Sequence, residues 1–321
     1  MSSRFLLTSC LIVGALAACR KQPPADEHTS HMAAGDLTQQ PVASSTSQGD
    51  PSLPASAIHT AARLAASPRH AEWVKLAYPD GKGDSLMAWI VYPSTSNAKT
   101  PVVVVIHEIY GLSSWVRGVA DQLASQGFIA IAPDLNSRIR GMASADSISA
   151  DSAVKLSRQV SPADRNAAID AAAKYAMSQP SAAAKYGIVG FCYGGSTTWI
   201  HTINGGIPGF SGGVAYYGLP YMDGRVPNAD SLAKIKTPIM LLSGAKDARI
   251  TAGMPAVDST MKALNKWYYG KNYAGAVHGF ARQQDDPKAN RDEAEEQANL
   301  AAIKDAWPRT IAFLKKNLGV Q

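Results

Sequence analysis

The chain has 321 residues, of which 46% are hydrophobic and 17% are charged, so a sizeable core fits in one large domain or two ordinary ones. The formal net charge of +6 is mildly basic. Because Lys and Arg are dispersed, with no block longer than Lys315–Lys316, this charge gives no indication of a nucleic-acid partner.

The amino terminus has the features of an export signal. An apolar stretch over 5–18 follows Arg4 and is shorter than the roughly 20 residues that span a bilayer, which predicts a cleaved signal peptide. The motif "LAAC", Leu16–Cys19, resembles a bacterial lipobox. The resemblance implies a lipoprotein signal peptide at 1–18, diacylglyceryl modification of the Cys19 sulfur, and a membrane-anchored protein of the cell envelope or periplasm. A plain signal peptide cut nearby is the alternative.

Residues 19–67 are rich in Ala, Ser, Thr, Pro, Gln and Asp and contain almost no aromatic side chains. Such a composition buries too little apolar surface to offset the entropy of ordering the chain. We therefore predict a disordered tether at 19–67, long enough for a globular domain at 68–321 to turn freely above a membrane.

From residue 68 onward, short β-type runs alternate with helical patterns. The run "PVVVVIH", 101–107, is almost wholly apolar, as in strands buried on both faces of a parallel sheet. In "SSWVRGVADQLASQG", 113–127, apolar residues share one helical face. The other predicted strands are 72–78, 85–93, 128–135, 186–191, 212–218, 237–244 and 268–275, and the other predicted helices are 163–178, 193–203, 254–267 and a C-terminal region that Pro308 should break in two. This alternation predicts the α/β class, with a mostly parallel open sheet and helices on both faces.

The motif "VGFCYGG", 189–195, places Cys192 between a predicted strand and a predicted helix. This is the geometry of a nucleophile elbow, G-x-S-x-G, with sulfur in place of oxygen. Gly190 and Gly194 allow the strand and the helix to approach closely, and the helix N-terminus favours a thiolate. With Cys10 lost in the signal peptide and Cys19 lipid-modified, Cys192 has no disulfide partner. We interpret it as a nucleophile; a buried structural cysteine is the alternative.

A thiol nucleophile needs a base, and in α/β-hydrolases the order along the chain is nucleophile, acid, histidine. His278, in "YAGAVHGF", follows the last predicted strand, and Asp247, in "SGAKD", follows the strand before it. Asp247 would hold the imidazole in the correct tautomer. His107 precedes the nucleophile, so we expect it to pack or to hydrogen bond at a strand end.

The motifs "VVVVIHEIYGL", "APDLNSR", "GFCYGG", "AYYG", "SGAKD" and "HGFAR" recur in this order in one known family. On these motifs the chain, from about Trp73 to its C-terminus, resembles the dienelactone hydrolase family of α/β-hydrolases. The resemblance implies the α/β-hydrolase fold and a catalytic triad of Cys192, Asp247 and His278.

The resemblance also implies roles for the residues around this triad. Glu108 would contact the thiol and take its proton when substrate shifts the cysteine toward the histidine. The backbone N–H groups of Ile109 and Tyr193 would form the oxyanion hole. Arg138 and Arg282 match positions that bind the carboxylate of a lactone substrate, a geometry that suits paired guanidinium groups.

Other interpretations stay open at this stage. Arg140 and Arg249 compete for the role of carboxylate ligand, and each of these arginines could be an ordinary surface residue. The "HEIYG" stretch has Gly111 where a metalloprotease would have its second histidine, and no dinucleotide fingerprint is present, so we predict neither a metal nor another cofactor.

These observations predict a hydrolase of small esters or enol-lactones that acts through an acyl-enzyme. The expected partners are a small-molecule ester or lactone substrate and, through the lipid anchor, a membrane. The alternative from another class is a non-catalytic lipoprotein that keeps the fold as a binding or scaffold module.

Overall fold

The computed structural model describes residues 47–78, 84–95, 99–220, 222–223 and 226–320. The predicted signal peptide, the lipidation site Cys19 and the tether up to residue 46 lie outside these residues. None of the helices in the described part of the chain is long and apolar enough to cross a membrane.

The strands form one large sheet and one two-stranded ribbon. The large sheet has eight strands in the order β1-β2-β4-β3-β5-β6-β9-β10, and β7 pairs with β8. Strand β2 runs antiparallel to both of its neighbours, and the pairs from β4 to β10 are all parallel. The strands are β1 (Ala71–Ala77), β2 (Ser85–Val91), β3 (Thr100–Ile106), β4 (Ile129–Pro133), β5 (Ala182–Phe191), β6 (Phe210–Tyr216), β7 (Met222–Asp223), β8 (Val226–Pro227), β9 (Ile239–Gly244) and β10 (Tyr268–Tyr273). This topology confirms the predicted open, mostly parallel sheet.

Helices connect the parallel strands and pack on the sheet. They are α1 (Ala57–Ala65), α2 (Ser114–Ser125), α3 (Ser137–Arg140), α4 (Ala150–Ser157), α5 (Pro162–Met177), α6 (Tyr193–Asn204), α7 (Ala229–Ala233), α8 (Ala248–Ala263), α9 (Phe280–Gln283) and α10 (Glu293–Leu318). Every residue of β3 is buried. Because successive side chains of a strand point to opposite faces, helices must cover both sides of the sheet at its centre.

The predicted break at Pro308 is wrong, since α10 runs without interruption from Glu293 to Leu318. Pro308 and Lys304, whose carbonyl loses its N–H partner, are both exposed, so water can bind that carbonyl. The opposite face of the helix buries Trp307 and Leu314 in the core. Packing of this face therefore outweighs the missing hydrogen bond.

The helix after β9 also begins earlier than predicted. Helix α8 starts at Ala248 and contains Pro255 in its interior, whereas the sequence pattern placed its start at Met254. Asp247 is the N-cap of this helix, and its Oδ1 accepts a hydrogen bond from the Ile250 N–H at 3.2 Å. The early start therefore fixes the predicted catalytic acid at a helix terminus.

The predicted tether extends too far at its carboxyl end. Residues 47–69, which we call the N-terminal segment, pack on the domain and include helix α1. Arg63 is almost fully buried there and donates hydrogen bonds to the carbonyls of Gln48, Asp50 and Leu53 and to the side chain of Gln122. This segment has a composition typical of disordered chains, yet it is ordered because the buried Arg63 guanidinium hydrogen bonds several backbone carbonyls of its irregular part.

The N-terminal segment also contacts the elements that precede and follow the candidate site. The Trp115 side chain, on α2, donates to the Ala55 carbonyl at 3.1 Å, and the Gln284 side chain, just after α9, donates to the Pro54 carbonyl at 2.8 Å. Arg69 binds the buried carboxylate of Asp121, also on α2, at 2.5 to 2.8 Å. The segment is therefore an integral part of the domain.

We expect the change Arg63→Met to lower the free energy of unfolding by about 2–3 kcal/mol, because several buried carbonyls lose a charged donor. Urea unfolding followed by circular dichroism measures this change. Arg158→Met, at an exposed arginine of the described chain, is the control and should change stability by less than about 0.5 kcal/mol. Equal midpoints for the two variants would contradict the stabilising role of Arg63.

Candidate active site

The candidate site lies at the carboxyl ends of the central parallel strands. Strand pairing aligns Ile106 with Gly190, Phe191 with Tyr216, and Gly244 with Tyr273. The residues that follow these strands therefore meet at one edge of the sheet. They include most of the predicted site residues, namely Glu108, Ile109, Cys192, Tyr193, Asp247 and His278.

Cys192 occupies a tight bend between β5 and α6. Its backbone has φ 55° and ψ −112°, a conformation that costs free energy for a residue with a side chain. A Cβ atom at Gly190 would lie 2.1 Å from the Gly194 carbonyl oxygen, and one at Gly194 would lie 2.3 Å from the Ile106 carbonyl oxygen. The helix thus rests directly on the strand ends, and the Cys192 N–H donates to the Tyr216 carbonyl at 3.0 Å. The bend has the geometry of a nucleophile elbow.

His278 connects Cys192 with Asp247. Its Nδ1 lies 2.5 Å from Asp247 Oδ2, and its side chain lies near enough to Cys192 for the charge of the sulfur to act on the imidazole. Burial alone would lower the pKa of His278, but the charge of Cys192 when its sulfur is ionised and the hydrogen bond to Asp247 outweigh burial and raise this pKa to about 10. Burial would raise the pKa of Asp247, but the hydrogen bond and charge of His278 lower it. The three side chains form a chain suited to nucleophilic catalysis.

Glu108 forms an ion pair inside the site. Its carboxylate oxygen lies 2.9 Å from Arg282 Nε, and its side chain is 5% exposed. Burial lowers the pKa of Arg282, whereas the charges of Glu108 and, more weakly, Cys192 raise it, and the net shift is upward. The structure therefore brings Arg282 to Glu108 and into the neighbourhood of the thiol.

Arg138 lies elsewhere on the same edge of the sheet. Its guanidinium binds Asp84 at 2.9 Å and Asp164 at 3.1 Å, and it stacks over the Tyr78 ring at 4.2 Å from the ring centroid. These contacts occupy the guanidinium in a cleft that also includes Leu86. The described contacts do not join Arg138 to Cys192, Asp247 or His278, so its role in substrate binding stays a prediction.

Arg140, which competes with Arg138 for the role of carboxylate ligand, already forms an ion pair with the buried carboxylate of Asp134.

The expectation for His107 is confirmed. Its Nδ1 lies 2.6 Å from the Glu108 carbonyl oxygen, and its Nε2 accepts a hydrogen bond from the Leu135 N–H at 3.1 Å. His107 therefore joins the loops that follow β3 and β4.

Tyr217 is a site residue that the sequence analysis missed, although it lies in the "AYYG" motif. Its backbone is left-handed, with φ 38°, and its ring centroid lies 4.9 Å from that of His278. Its hydroxyl is buried and has no hydrogen-bond partner within the described ranges. Burial, and then the charge of Glu108, raise the pKa of Tyr217 well above its ordinary value, so the hydroxyl stays protonated. The sequence pattern does not predict a left-handed backbone at a tyrosine, so the position of Tyr217 in the site could not be inferred from it.

Within the part of the chain that the structure describes, no three His, Cys, Asp or Glu side chains are arranged to hold a metal ion.

Comparisons with known proteins agree with this geometry. A family model described as "Dienelactone hydrolase family" matches residues 86–318. A Salmonella typhimurium protein named "Putative carboxymethylenebutenolidase" is 27% identical over 240 residues, which cover 72% of this chain and 83% of that protein. A Bradyrhizobium protein named "Probable 2-oxo-3-(5-oxofuran-2-ylidene)propanoate lactonase" is 27% identical over 256 residues, which cover 77% of this chain and 94% of that protein. A crystal structure titled "Putative Dienelactone Hydrolase", from Klebsiella pneumoniae, is 25% identical, has a TM-score of 0.60, and covers 76% of this chain and 98% of its own.

The His278 contacts predict a specific dependence of stability on pH. Because the pKa of His278 is raised from 6.5 to about 10 in the folded protein, its protonated form contributes stability that is complete below pH 6.5 and is lost as the pH rises toward 10. The difference in unfolding free energy between the wild type and His278→Ala should therefore shrink across this interval. His70→Ala, at an exposed histidine, is the control variant. A His278 difference that is constant from pH 6 to pH 10 would contradict the pKa assignment.

Proposed function

The chain belongs to the dienelactone hydrolase family and is a hydrolase of ester or lactone bonds, and we propose that it cleaves small esters or enol-lactones with Cys192 as its nucleophile. The observation that carries the proposal is the hydrogen bond from Asp247 to His278 together with the electrostatic coupling of this imidazole to a cysteine at a strained elbow. Such an arrangement activates a thiol and orients the base that must later activate water.

In the first half of the reaction, Glu108 receives the thiol proton and the Cys192 sulfur attacks the substrate carbonyl carbon. The carbonyl electrons move to oxygen, and the N–H groups of Ile109 and Tyr193 stabilise the resulting oxyanion. The tetrahedral intermediate then collapses, the bond from carbon to the leaving oxygen breaks, and the His278 imidazolium protonates that oxygen. The product of this half is a thioester on Cys192.

In the second half, water cleaves the thioester. His278, now neutral, accepts a proton from the water as its oxygen attacks the thioester carbon. Collapse of the second tetrahedral intermediate expels the Cys192 thiolate and releases the carboxylic acid. The proton held on Glu108 returns to the sulfur, and His278 remains protonated beside Asp247.

The ion pair between Glu108 and Arg282 gives a substrate carboxylate a place to bind. In the resting site the Arg282 guanidinium holds the Glu108 carboxylate at 2.9 Å. A substrate carboxylate that binds Arg282 would compete with Glu108 for this guanidinium and release Glu108 to accept the thiol proton. We therefore assign Arg282 to substrate binding and expect substrates with a carboxylate to react faster than neutral esters.

The relative from Bradyrhizobium is named for a lactone that carries a propanoate group. A substrate of this class offers both groups that the site requires, a carbonyl for Cys192 and a carboxylate for Arg282. We propose an enol-lactone with a nearby carboxylate as the substrate class of this chain. Arg138 is the weaker candidate for the carboxylate, because Asp84 and Asp164 already bind it.

We also propose that the protein is exported and anchored through a lipid on Cys19. The "LAAC" motif at the end of a short apolar stretch supports this proposal. The lipid chains on Cys19 would insert into a membrane of the cell envelope, and residues 20–46 would connect them to the hydrolase domain.

We expect Cys192→Ala to lower kcat by at least about 1000-fold for p-nitrophenyl acetate and for a dienelactone, because no other group can form the thioester. Mass spectrometry of the wild type during turnover should find the acyl group on Cys192. His70→Ala, at an exposed histidine, serves as the activity control. Equal hydrolysis by the wild type and Cys192→Ala would rule out the cysteine mechanism, and no activity on any ester or lactone in a panel would favour a binding module.

A second experiment tests the anchor. Cells that express the chain are labelled with radioactive palmitate, and the wild type and Cys10→Ser should both incorporate the label. Cys19→Ser should lose the label and should no longer fractionate with membranes, because the lipidated sulfur is missing. Label that persists in Cys19→Ser would contradict the anchor.

A further inference from the structure

We propose that His107 and Ser157 are positioning residues that set the direction of the Ile109 N–H in the oxyanion hole. The inference deepens the proposed function and rests on it, since it concerns the donor that stabilises the oxyanion. It draws on hydrogen bonds at the two peptide units on either side of Ile109. Neither His107 nor Ser157 touches the reacting atoms in the mechanism above.

The first of these peptide units joins Glu108 to Ile109. His107 Nδ1 lies 2.6 Å from the Glu108 carbonyl oxygen, which also accepts a hydrogen bond from the Gly111 N–H at 3.1 Å. In a trans peptide unit the C=O and the following N–H point in opposite directions. A bond that fixes the Glu108 carbonyl therefore directs the Ile109 N–H away from His107.

The tautomer of His107 makes this bond directional. Its Nε2 accepts a hydrogen bond from the Leu135 N–H at 3.1 Å, so Nε2 carries no proton and Nδ1 is the donor to the Glu108 carbonyl. The ring is fully buried, and burial lowers the pKa of His107 to about 4. The imidazole is therefore neutral, with one defined tautomer, at any pH near neutrality.

The second peptide unit joins Ile109 to Tyr110 and is held by Ser157, the last residue of α4. The Ser157 hydroxyl lies 2.7 Å from the Ile109 carbonyl oxygen and 2.9 Å from the side-chain nitrogen of Asn136. The Asn136 side-chain nitrogen donates to the hydroxyl oxygen, and the single hydroxyl proton has two acceptors within reach, the Ile109 carbonyl at 2.7 Å and Asn136 Oδ1 at 3.1 Å. The shorter contact favours donation to the Ile109 carbonyl. Both peptide units that flank Ile109 are therefore held by side chains.

Ser157 also contacts the residue that supplies the second oxyanion donor. The Tyr193 hydroxyl donates to the Ser157 carbonyl at 2.9 Å. One fully buried residue thus joins the two segments whose N–H groups must converge on the same oxygen. Donors aimed in advance at a developing charge are worth most in a buried site.

The first test is Ser157→Ala, with Ser152→Ala, at an exposed serine of the same helix, as the matched control. We expect Ser157→Ala to lower kcat by about tenfold for p-nitrophenyl acetate while KM changes by less than about twofold, because a misdirected N–H weakens only the transition state. Alkylation of Cys192 by iodoacetamide forms no oxyanion, so its rate should equal that of the wild type.

The second test uses two substitutions of His107. In His107→Asn the amide nitrogen takes the place of Nδ1 and still reaches the Glu108 carbonyl, whereas His107→Ala removes the donor. We expect His107→Asn to keep most of the wild-type kcat and His107→Ala to lose about tenfold or more. This rescue by a donor is not expected if His107 only fills space.

Several outcomes would overturn the inference. Wild-type kcat in Ser157→Ala and His107→Ala would show that the two side chains are not needed. An equal fall of kcat and of the alkylation rate would show a general disturbance of the site. Failure of the proposed function has a different result, because hydrolysis would then persist in Cys192→Ala. Adding Ser157→Ala to that variant would still test the oxyanion donor, through its effect on the remaining hydrolysis.

Discussion

The contact between helix α6 and the carboxyl ends of β3 and β5 is the constraint on which the rest of the site depends. At Gly190 and Gly194 the space for a Cβ atom is already filled by backbone atoms of the facing element. This contact leaves Cys192 at a bend that only a strained backbone can form. It also places the first turn of the helix beside the loop after β3, which contains Glu108 and Ile109. Backbone packing thus fixes the position of the proposed nucleophile relative to the loop after β3.

Charge balance is the second constraint. The site buries two carboxylates, and each has a positively charged or protonatable partner, His278 for Asp247 and Arg282 for Glu108. An isolated charge at either position would be strongly unfavourable in a buried environment. Cys192 interacts electrostatically with one member of each pair, His278 and Arg282. A change in the charge of the sulfur is therefore transmitted to both pairs at once.

Much of this architecture is visible in the sequence, for physical reasons that differ from element to element. The buried run of β3 and the glycine spacing around Cys192 are local patterns, so the parallel sheet and the elbow could be predicted. The start of α8 could not, because Pro255 resembles an early helix residue while the N-cap is Asp247. The order around Arg63 arises from contacts with distant backbone carbonyls, which composition does not encode. Strain at Tyr217 depends on tertiary packing and is likewise invisible in a linear pattern.

The buried N-terminal segment has a practical consequence for recombinant work. A fragment that begins at residue 86, where the family match starts, would lack both this segment and β1. The carboxylate of Asp121, now 2% exposed, would lose Arg69 and Ser67, and the indole of Trp115 would lose its acceptor. An unpaired charge and a newly uncovered aromatic face on α2 favour aggregation. Soluble expression of this hydrolase thus depends on a stretch of chain that looks dispensable when judged by its composition.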